Sequence, residues 1–164
     1  MAEKDRMTGD HDLEIRVRKA TLQDLDTLVE YNAAMALESE GRALELDRLR
    51  SGVTAVFDGD GRGFYYVAEV SGRVAGQLLI TTEWSDWRNS NFWWIQSVYV
   101  HPDYRRRGVY RTLHDHVVAE AHRQGNVCGI RLYVDRDNHR AKSVYASLEM
   151  GHSNYDLWEI DFVL

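Results

Sequence analysis

The sequence predicts an α/β protein in which helices cover both faces of one mixed sheet. Three strand patterns in a row, followed by a helix-strand-helix-strand series, indicate this class. The predicted order of elements is β-α-α-β-β-β-α-β-α-β. With 164 residues, of which 44% are hydrophobic, the chain can bury one core, so we expect a single domain over residues 13–164. Residues 1–12 are polar and without periodicity, which predicts a flexible N-terminal tail.

The first predicted elements are one strand and two helices. From Leu13 to Val17 apolar and charged residues alternate, as in a half-buried strand. Thr21 is a candidate N-cap with Asp24 three residues later, and it predicts a helix that runs to about Glu38. A second helix is predicted from four apolar residues at helical spacing, which we expect in the core: Leu46, Leu49, Val53 and Val56.

Three strands are predicted next. Two β-rich runs, 64–70 and 74–82, flank a Ser71-Gly72 pair that predicts a tight hairpin. Residues 92–100 are almost wholly apolar or aromatic, which indicates a central strand that is covered on both faces.

The last third of the chain returns to alternating helices and strands. An apolar repeat of four residues predicts a helix over about 107–123, and Gly125 is placed to end it. Alternation predicts a strand at 130–134, helical spacing predicts a short helix at 138–148, and a final strand is predicted at 155–162.

Composition and charge exclude several classes of function. The formal net charge of −6 opposes broad capture of nucleic acid and favours a cationic partner. No apolar run has the length of a membrane span and the N-terminus lacks a signal-peptide centre, so we expect a cytoplasmic protein. His114 and His116 diverge on the predicted helix, so no metal site is expected.

The residues that are most informative about chemistry lie between the central strand and the helix that follows it. A short Arg-Gly loop leads directly into this helix, where unpaired backbone N–H groups and the positive helix end converge. Gly108 lets a ligand approach the backbone closely. Four arginines add positive charge: Arg105, Arg106, Arg107 and Arg111. We interpret the segment as a site for a phosphate-bearing ligand; a solvated surface face is the alternative.

This segment resembles the acetyl-CoA signature of the GNAT family (the Gcn5-related N-acetyltransferases), Q/R-x-x-G-x-G/A. Arg105 and Gly108 occupy the first two defined positions, whereas Tyr110 stands where the family usually has Gly or Ala. The resemblance implies that the amides of residues 106–111, Val109 included, bind the pyrophosphate of the coenzyme. We treat Tyr110 as a tolerated variant because its backbone N–H is retained.

A second segment resembles the family's N-x-x-A-x-x-x-Y-x-x-x-G element. Asn138, Ala141 and Tyr145 match it, and Gly151 lies about two residues late. The resemblance implies that Asn138 contacts the pantetheine arm or the turn beside it. It also implies that the phenol of Tyr145 lies near the thioester sulfur, where it can donate a proton to the departing thiolate. Helical spacing alone leaves Tyr145 as a half-buried packing residue.

Taken together, the resemblance implies the GNAT fold over residues from about 13 to the end, with splayed fourth and fifth strands. The pantetheine arm would insert between them and bind the fourth strand, with Val100 among its contacts. A bulge in that strand would direct a backbone N–H of Val98 or Tyr99 at the thioester oxygen. The implied activity is transfer of an acetyl group from acetyl-CoA to a primary amine by direct attack in a ternary complex, without a metal.

Candidates for the acceptor site come from three segments. Glu83 is the leading candidate for the base that deprotonates the amine, and an exposed loop glutamate is the alternative. Glu38 and Glu40 are candidates for binding the acceptor's cation. Trp84 and Gln96 are candidates for the acceptor pocket. Hairpin packing or a homodimer contact are equally open for the tryptophans of this segment.

A non-catalytic acyl-CoA-binding or regulatory module of the same fold is the main alternative function. Such a module would keep the Arg-Gly loop but would need neither Tyr145 nor a base. A nucleotide-phosphate site of another kind is disfavoured, because neither G-x-x-x-x-G-K-[ST] nor G-x-G-x-x-G occurs. The sequence does not identify the acceptor beyond a small-molecule or peptide amine.

Overall fold

A computed structural model describes residues 13–162 of the chain. The chain divides into two compact units, one that ends at Leu132 and one that begins at Tyr133. The predicted N-terminal tail, residues 1–12, lies outside the described residues. The single-domain interpretation stays a prediction.

The regular elements follow the predicted order up to the last helix. Within the first unit the strands are β1 (Ile15–Lys19), β2 (Phe64–Val70), β3 (Arg73–Ser85), β4 (Ser90–Val100) and β5 (Val127–Leu132). The helices of this unit are α1 (Leu25–Glu40), α2 (Leu46–Ala55) and α3 (Val109–Gln124). Short 3₁₀ turns at Leu22–Asp24 and Pro102–Tyr104 precede α1 and α3, and the second unit contains α4 (His139–Ala146).

One mixed sheet forms the centre of the first unit, in the spatial order β1-β2-β3-β4-β5. Neighbours from β1 to β4 are antiparallel, and β5 runs parallel to β4. The predicted hairpin between β2 and β3 is confirmed. Ser71 and Gly72 have φ values of 51° and 76°, which suits a type I′ turn, in which both central residues have positive φ.

Helices cover both faces of this sheet, as predicted. On one face α3 buries its apolar stripe against the strands: Val109, Leu113, Val117 and Ala121. On the other face Leu28 of α1 and Val53 of α2 pack against Tyr65 and Val67 of β2. Gly125 ends α3 in a left-handed conformation, with φ 72°.

An ion cluster joins β1, the start of α1 and β2. Both terminal nitrogens of Arg18 donate to the carboxylate of Asp24, each at 2.8 Å, and Arg18 also binds Oε1 of Glu69 at 2.6 Å. The N–H of Thr21 donates to Asp24 Oδ2 at 2.8 Å, which forms the predicted N-terminal cap on the 3₁₀ turn. The hydrogen bonds from Arg18 are the main reason that the pKa of Asp24 lies below its usual value.

Two predictions about apolar residues are wrong. Leu46 is 60% exposed, because it is the first residue of α2 and lies at the helix end that Glu45 caps. Residues 155–162 form no strand, and Trp158 and Phe162 are each 89% exposed. Alternation is a pattern of burial, whereas a strand also needs a partner edge for its backbone groups, and no partner occurs within residues 13–162.

No helix in the described part of the chain is both long and apolar enough to cross a bilayer.

The Arg18–Asp24 pair makes the stability depend on pH. A carboxyl whose pKa is lowered by folding stabilises the protein above its unfolded pKa, near 3.8, and loses that contribution as the pH falls through the folded value. We expect Asp24→Asn to lower the free energy of unfolding at pH 7 by about 1–3 kcal/mol. Denaturant unfolding between pH 7 and pH 2 should show a smaller loss of stability in the variant than in the wild type. Equal losses in the two proteins would contradict this role.

Candidate functional site

The loop between β4 and α3 presents backbone N–H groups at one place. Arg106 and Gly108 adopt left-handed conformations, with φ values of 61° and 82°. Consecutive N–H groups around such residues form concave anion-binding sites. A Cβ on Gly108, the N-cap of α3, would meet nothing within 4 Å, so glycine is favoured there by the backbone conformation and not by lack of space.

Five N–H groups between Arg106 and Arg111 have no hydrogen-bond partner among the described residues. Within residues 13–162, no group accepts a hydrogen bond from the N–H of the following residues: Arg106, Arg107, Gly108, Val109 and Arg111. Thr112 is the first to bond within the helical pattern, to the Gly108 carbonyl at 2.9 Å. The first turn of α3 also lacks an acidic residue and a side-chain cap. The positive end of α3 is therefore available to an external anion.

The four arginines of the loop divide into two kinds. Arg106, Arg107 and Arg111 are exposed and form no ion pair with any residue from 13 to 162. Arg105 donates from Nε to the Val100 carbonyl at 2.8 Å and from Nη2 to Glu38 Oε2 at 2.6 Å. Its guanidinium is therefore bound by the protein, and a role for Arg105 in holding the coenzyme stays a prediction.

Glu38, at the end of α1, connects that helix to β4 and to the loop. Its carboxylate accepts from Tyr99 Oη at 2.7 Å and from Arg105. The Tyr99 hydrogen bond is the main reason that the pKa of Glu38 is lowered. Because Arg105 already balances the charge of Glu38, an acceptor cation would have to share or displace this contact. Glu40 is exposed at the C-terminus of α1, and both acceptor-binding roles stay predictions.

A bulge interrupts β4 where the resemblance implies one. Gln77 of β3 pairs with Tyr99, but Leu79 pairs with Gln96, so β4 contains one extra residue between these pairs. Ser97 lies in the bulge with φ 49°, a conformation that costs a residue other than glycine about 1 kcal/mol.

The same stretch of β4 leaves the ladder with β5. The last parallel pair joins Ile95 to Leu132, while β4 continues to Val100. Backbone groups of residues 96–100 on this side therefore have no ladder partner within the described first unit. Val98, Tyr99 and Val100, the strand residues predicted to contact the coenzyme, all lie in this stretch.

Glu83 belongs to a charged and aromatic cluster on one face of the sheet. Its Oε1 accepts from Arg131 of β5 at 3.0 Å, and its Oε2 accepts from the indole N–H of Trp94 at 2.6 Å. The guanidinium of Arg131 lies 3.5 Å from the ring centre of Phe92. Glu83 therefore occupies a defined position instead of projecting from a mobile loop.

The two predicted pocket residues lie on opposite faces of the sheet. Gln96 donates to Thr81 Oγ1 at 2.7 Å and shares its face with Trp94, two residues earlier in β4. Trp84 follows Glu83 directly in β3, so its side chain points to the other face, and it is 62% exposed. Trp94, and not Trp84, is therefore the indole beside Glu83.

The second unit contains the residues of the second sequence element. Asn138 is the N-cap of α4, and its Oδ1 accepts from the N–H of Ala141 at 3.0 Å. This bond gives Asn138 a structural role that the resemblance did not imply. Burial raises the pKa of the Tyr145 phenol above its usual value, so this group stays protonated at neutral pH.

Comparison with known families decides the class of protein. The family model for the acetyltransferase (GNAT) family matches residues 27–150. The chain belongs to the GNAT family. This range contains the first sequence element and Asn138, Ala141 and Tyr145 of the second, and membership supports an acyltransferase.

Solved structures with the same fold agree with this assignment. A possible acetyltransferase from Clostridium difficile 630 is 41% identical, with a TM-score of 0.85, and the match covers 92% of this chain and 99% of that one. A probable acetyltransferase is 21% identical, with a TM-score of 0.80, over 90% of this chain and 98% of that one. A predicted acetyltransferase from Clostridium acetobutylicum, solved with acetyl-CoA, is 18% identical, with a TM-score of 0.72, over 90% and 96%. No curated protein matches the GNAT chain significantly.

The described residues of this GNAT protein contain no group of three or more His, Cys, Asp or Glu side chains that could hold a metal ion. His116 instead packs edge-on against the ring of Tyr66, at 4.8 Å between centroids.

Sequence reasoning missed two residues of the site. Arg131 lies between Ile130 and Leu132, which contact the core, so a charged residue in mid-strand was the available signal. Its partner Glu83 lies on another strand and could not be inferred from spacing. Gln77 is fully buried in β3 beside the bulge, and a glutamine within an apolar strand was the signal there.

Gly108 and Gly52 should respond to alanine in opposite directions. Gly108→Ala forces a side chain into a left-handed conformation, so we expect the free energy of unfolding to fall by about 1–2 kcal/mol. Gly52 lies inside α2, and its added Cβ would meet nothing within 4 Å, so Gly52→Ala should raise stability by up to about 1 kcal/mol. Denaturant unfolding of both variants tests this, and stabilisation by Gly108→Ala would contradict the loop conformation.

Proposed function

We propose that this protein transfers the acetyl group of acetyl-CoA to a primary amine, by direct attack within a ternary complex. One observation carries the proposal: five main-chain donors and three arginine side chains that have no partner among residues 13–162 meet at the N-terminus of α3. They lie in the segment that resembles the coenzyme signature of the family. A diphosphate suits this arrangement because it accepts several hydrogen bonds and carries charge opposite to that of the helix end.

The amides of Arg106, Gly108 and Val109 would bind the pyrophosphate. The side chains of Arg107 and Arg111 would add charge at the solvent side of the same site. In this role Tyr110 contributes its main chain, and its ring packs 6.2 Å from that of His114 along the helix. The side chain that departs from the family signature thus has a place on α3 itself.

The open side of β4 would receive the pantetheine arm. Residues 96–100 leave the ladder with β5, so their backbone groups can bond to an extended ligand in the way that a neighbouring strand would. The bulge at Ser97 lies in this stretch. A backbone N–H from Val98 or Tyr99 would then stabilise the negative charge that develops on the thioester oxygen.

Tyr145 would act as the general acid. When the amine attacks the thioester carbonyl, the C–S bond breaks and the sulfur leaves as a thiolate that needs a proton. Burial raises the pKa of Tyr145, which keeps the phenol protonated across the neutral range and able to donate.

Glu83 would accept the proton of the ammonium through a water molecule. Both of its oxygens already accept one hydrogen bond, but each carboxylate oxygen can accept a second. The side chain of Glu83 is 46% exposed, so water reaches it. Escape of the proton to solvent is the alternative, and it would require no base.

The acceptor would be a small-molecule or peptide amine. Glu38 and Glu40 would attract its cation, and Gln96 would line the pocket on the face that holds Glu83. Trp84 would contribute only from the opposite face, where a homodimer contact is the other candidate role for this exposed indole. Neither a membrane nor a nucleic acid takes part.

Thiol release from acetyl-CoA across a panel of amines tests this function. We expect the wild type to release coenzyme A with at least one primary amine. Tyr145→Phe should lower kcat by about 100-fold, because the leaving thiolate loses its proton donor, while calorimetry shows coenzyme affinity within about twofold. Tyr155→Phe is the matched control, since Tyr155 is 75% exposed.

Two outcomes would contradict the proposal. Unchanged turnover in Tyr145→Phe would remove this residue from the mechanism. Tight coenzyme binding without thiol release for any amine would favour the non-catalytic acyl-CoA-binding module.

A further inference from the structure

A buried polar network connects α1 to the bulge of β4. Gln77 Nε2 donates to Asn32 Oδ1 at 3.1 Å and to the Ser97 carbonyl at 3.4 Å. Asn32 Nδ2 in turn donates to Tyr65 Oη at 3.1 Å. Gln77, Asn32 and Tyr65 are all less than 5% exposed. A chain of amides thus runs from the helix through β3 to the main chain of the bulge.

Packing does not explain why position 77 is a glutamine. The side chain is fully buried, and its Oε1 has no hydrogen-bond partner within residues 13–162. An unbranched apolar side chain such as methionine would fill similar space without burying an unpaired oxygen. What only the amide supplies is the pair of N–H groups that bridges Asn32 and the Ser97 carbonyl.

The Ser97 carbonyl determines the direction of the next N–H group. The carbonyl of Ser97 and the N–H of Val98 belong to one planar peptide unit, and in a trans unit they point in opposite directions. No cis peptide occurs among the described residues. A donor that holds the carbonyl therefore turns the N–H of Val98 away from Gln77.

Ser97 needs such a holding contact because its conformation is unfavourable. Its φ of 49° is left-handed, in the middle of a strand and in a residue with a side chain. Ser97 has no paired residue in β3, because the register between β3 and β4 shifts at the bulge. The regular ladder therefore does not fix its conformation. The bond from Gln77 acts at the position where the ladder is interrupted.

Asn32 is itself held in place on the sheet. Tyr31, the preceding residue of α1, donates from its hydroxyl to the Val74 carbonyl of β3 at 2.6 Å. The centre of its ring lies 5.0 Å from that of Tyr99. The anchor of Gln77 is therefore part of a helix that is bonded to β3 and packed against β4.

We propose that Gln77, held by Asn32, is a positioning residue that aims the N–H of Val98 through the Ser97 carbonyl. This inference rests on the proposed function and deepens it, because it selects Val98 over Tyr99 as the donor to the thioester oxygen. Gln77 does not touch the substrates. It determines where the oxyanion donor points.

Kinetics of Gln77→Met test the proposal. Methionine keeps the length of the side chain and removes both N–H groups. We expect kcat to fall by about 10-fold or more, because a displaced oxyanion donor loses part of its stabilising effect. The Kd of coenzyme A should change by less than about threefold, because the side chain of Gln77 bonds to Asn32 and Ser97 and not to the loop that would hold the diphosphate. Val17→Ala, which disturbs the core on the α3 face at the edge strand β1 and leaves the network intact, should leave kcat unchanged.

A double-mutant cycle tests whether Asn32 acts through Gln77. Asn32→Leu alone should lower kcat in the same direction as Gln77→Met. In the Gln77→Met background Asn32→Leu should cause no further loss, since the contact that it supports is already absent. Independent, multiplicative losses would overturn the proposed chain of action.

A readout without catalysis separates this inference from the proposed function. In ¹⁵N-labelled protein without coenzyme, Gln77→Met should shift the Val98 amide resonance and speed its hydrogen exchange, while Val17→Ala should not. An unmoved Val98 amide, or an unchanged kcat in Gln77→Met, would overturn the inference. A shifted Val98 amide in a protein that acetylates no amine would support the placement of this N–H and refute only the enzymatic function.

Discussion

Five main-chain N–H groups in the loop before α3 and in its first turn have no partner among residues 13–162, and the candidate site is arranged around them. A helix needs a ligand, a cap or water for its first donors, and α3 has neither a side-chain cap nor an acidic first turn. The left-handed residues Arg106 and Gly108 turn further N–H groups toward the same place. Three exposed arginines then give a protein of net charge −6 a locally positive surface. An anionic ligand would satisfy all of these groups together.

The rest of the first unit fixes this loop and the neighbouring strand with contacts from α1. Glu38 binds both Tyr99 and Arg105, and Asn32 reaches the bulge through Gln77. The arginine that begins the family signature thus ties the loop to α1, while its neighbours face solvent. One helix therefore supports both the loop that would bind phosphate and the strand that would bind the thioester.

The sequence predicted features that depend on local geometry. The Ser71-Gly72 turn, the apolar stripe of α3 and its end at Gly125 each follow from steric or periodic rules within a few residues. Predictions from the sequence failed where a structural feature depends on residues that are distant in the chain. Alternation over 155–162 could not show whether an edge was available, and the pairing of Glu83 with Arg131 joins strands that are far apart in the chain. For the same reason, the sequence could not distinguish Arg105 from the neighbouring arginines, because its partner Glu38 lies far away in the chain.

Titration of ¹⁵N-labelled protein with coenzyme A tests the central claim most directly. The account predicts that the largest changes in amide resonances occur at Arg106, Gly108, Val109 and Arg111, because their N–H groups gain a phosphate acceptor. Saturable binding that leaves these four amides unchanged and perturbs another part of the protein would contradict it.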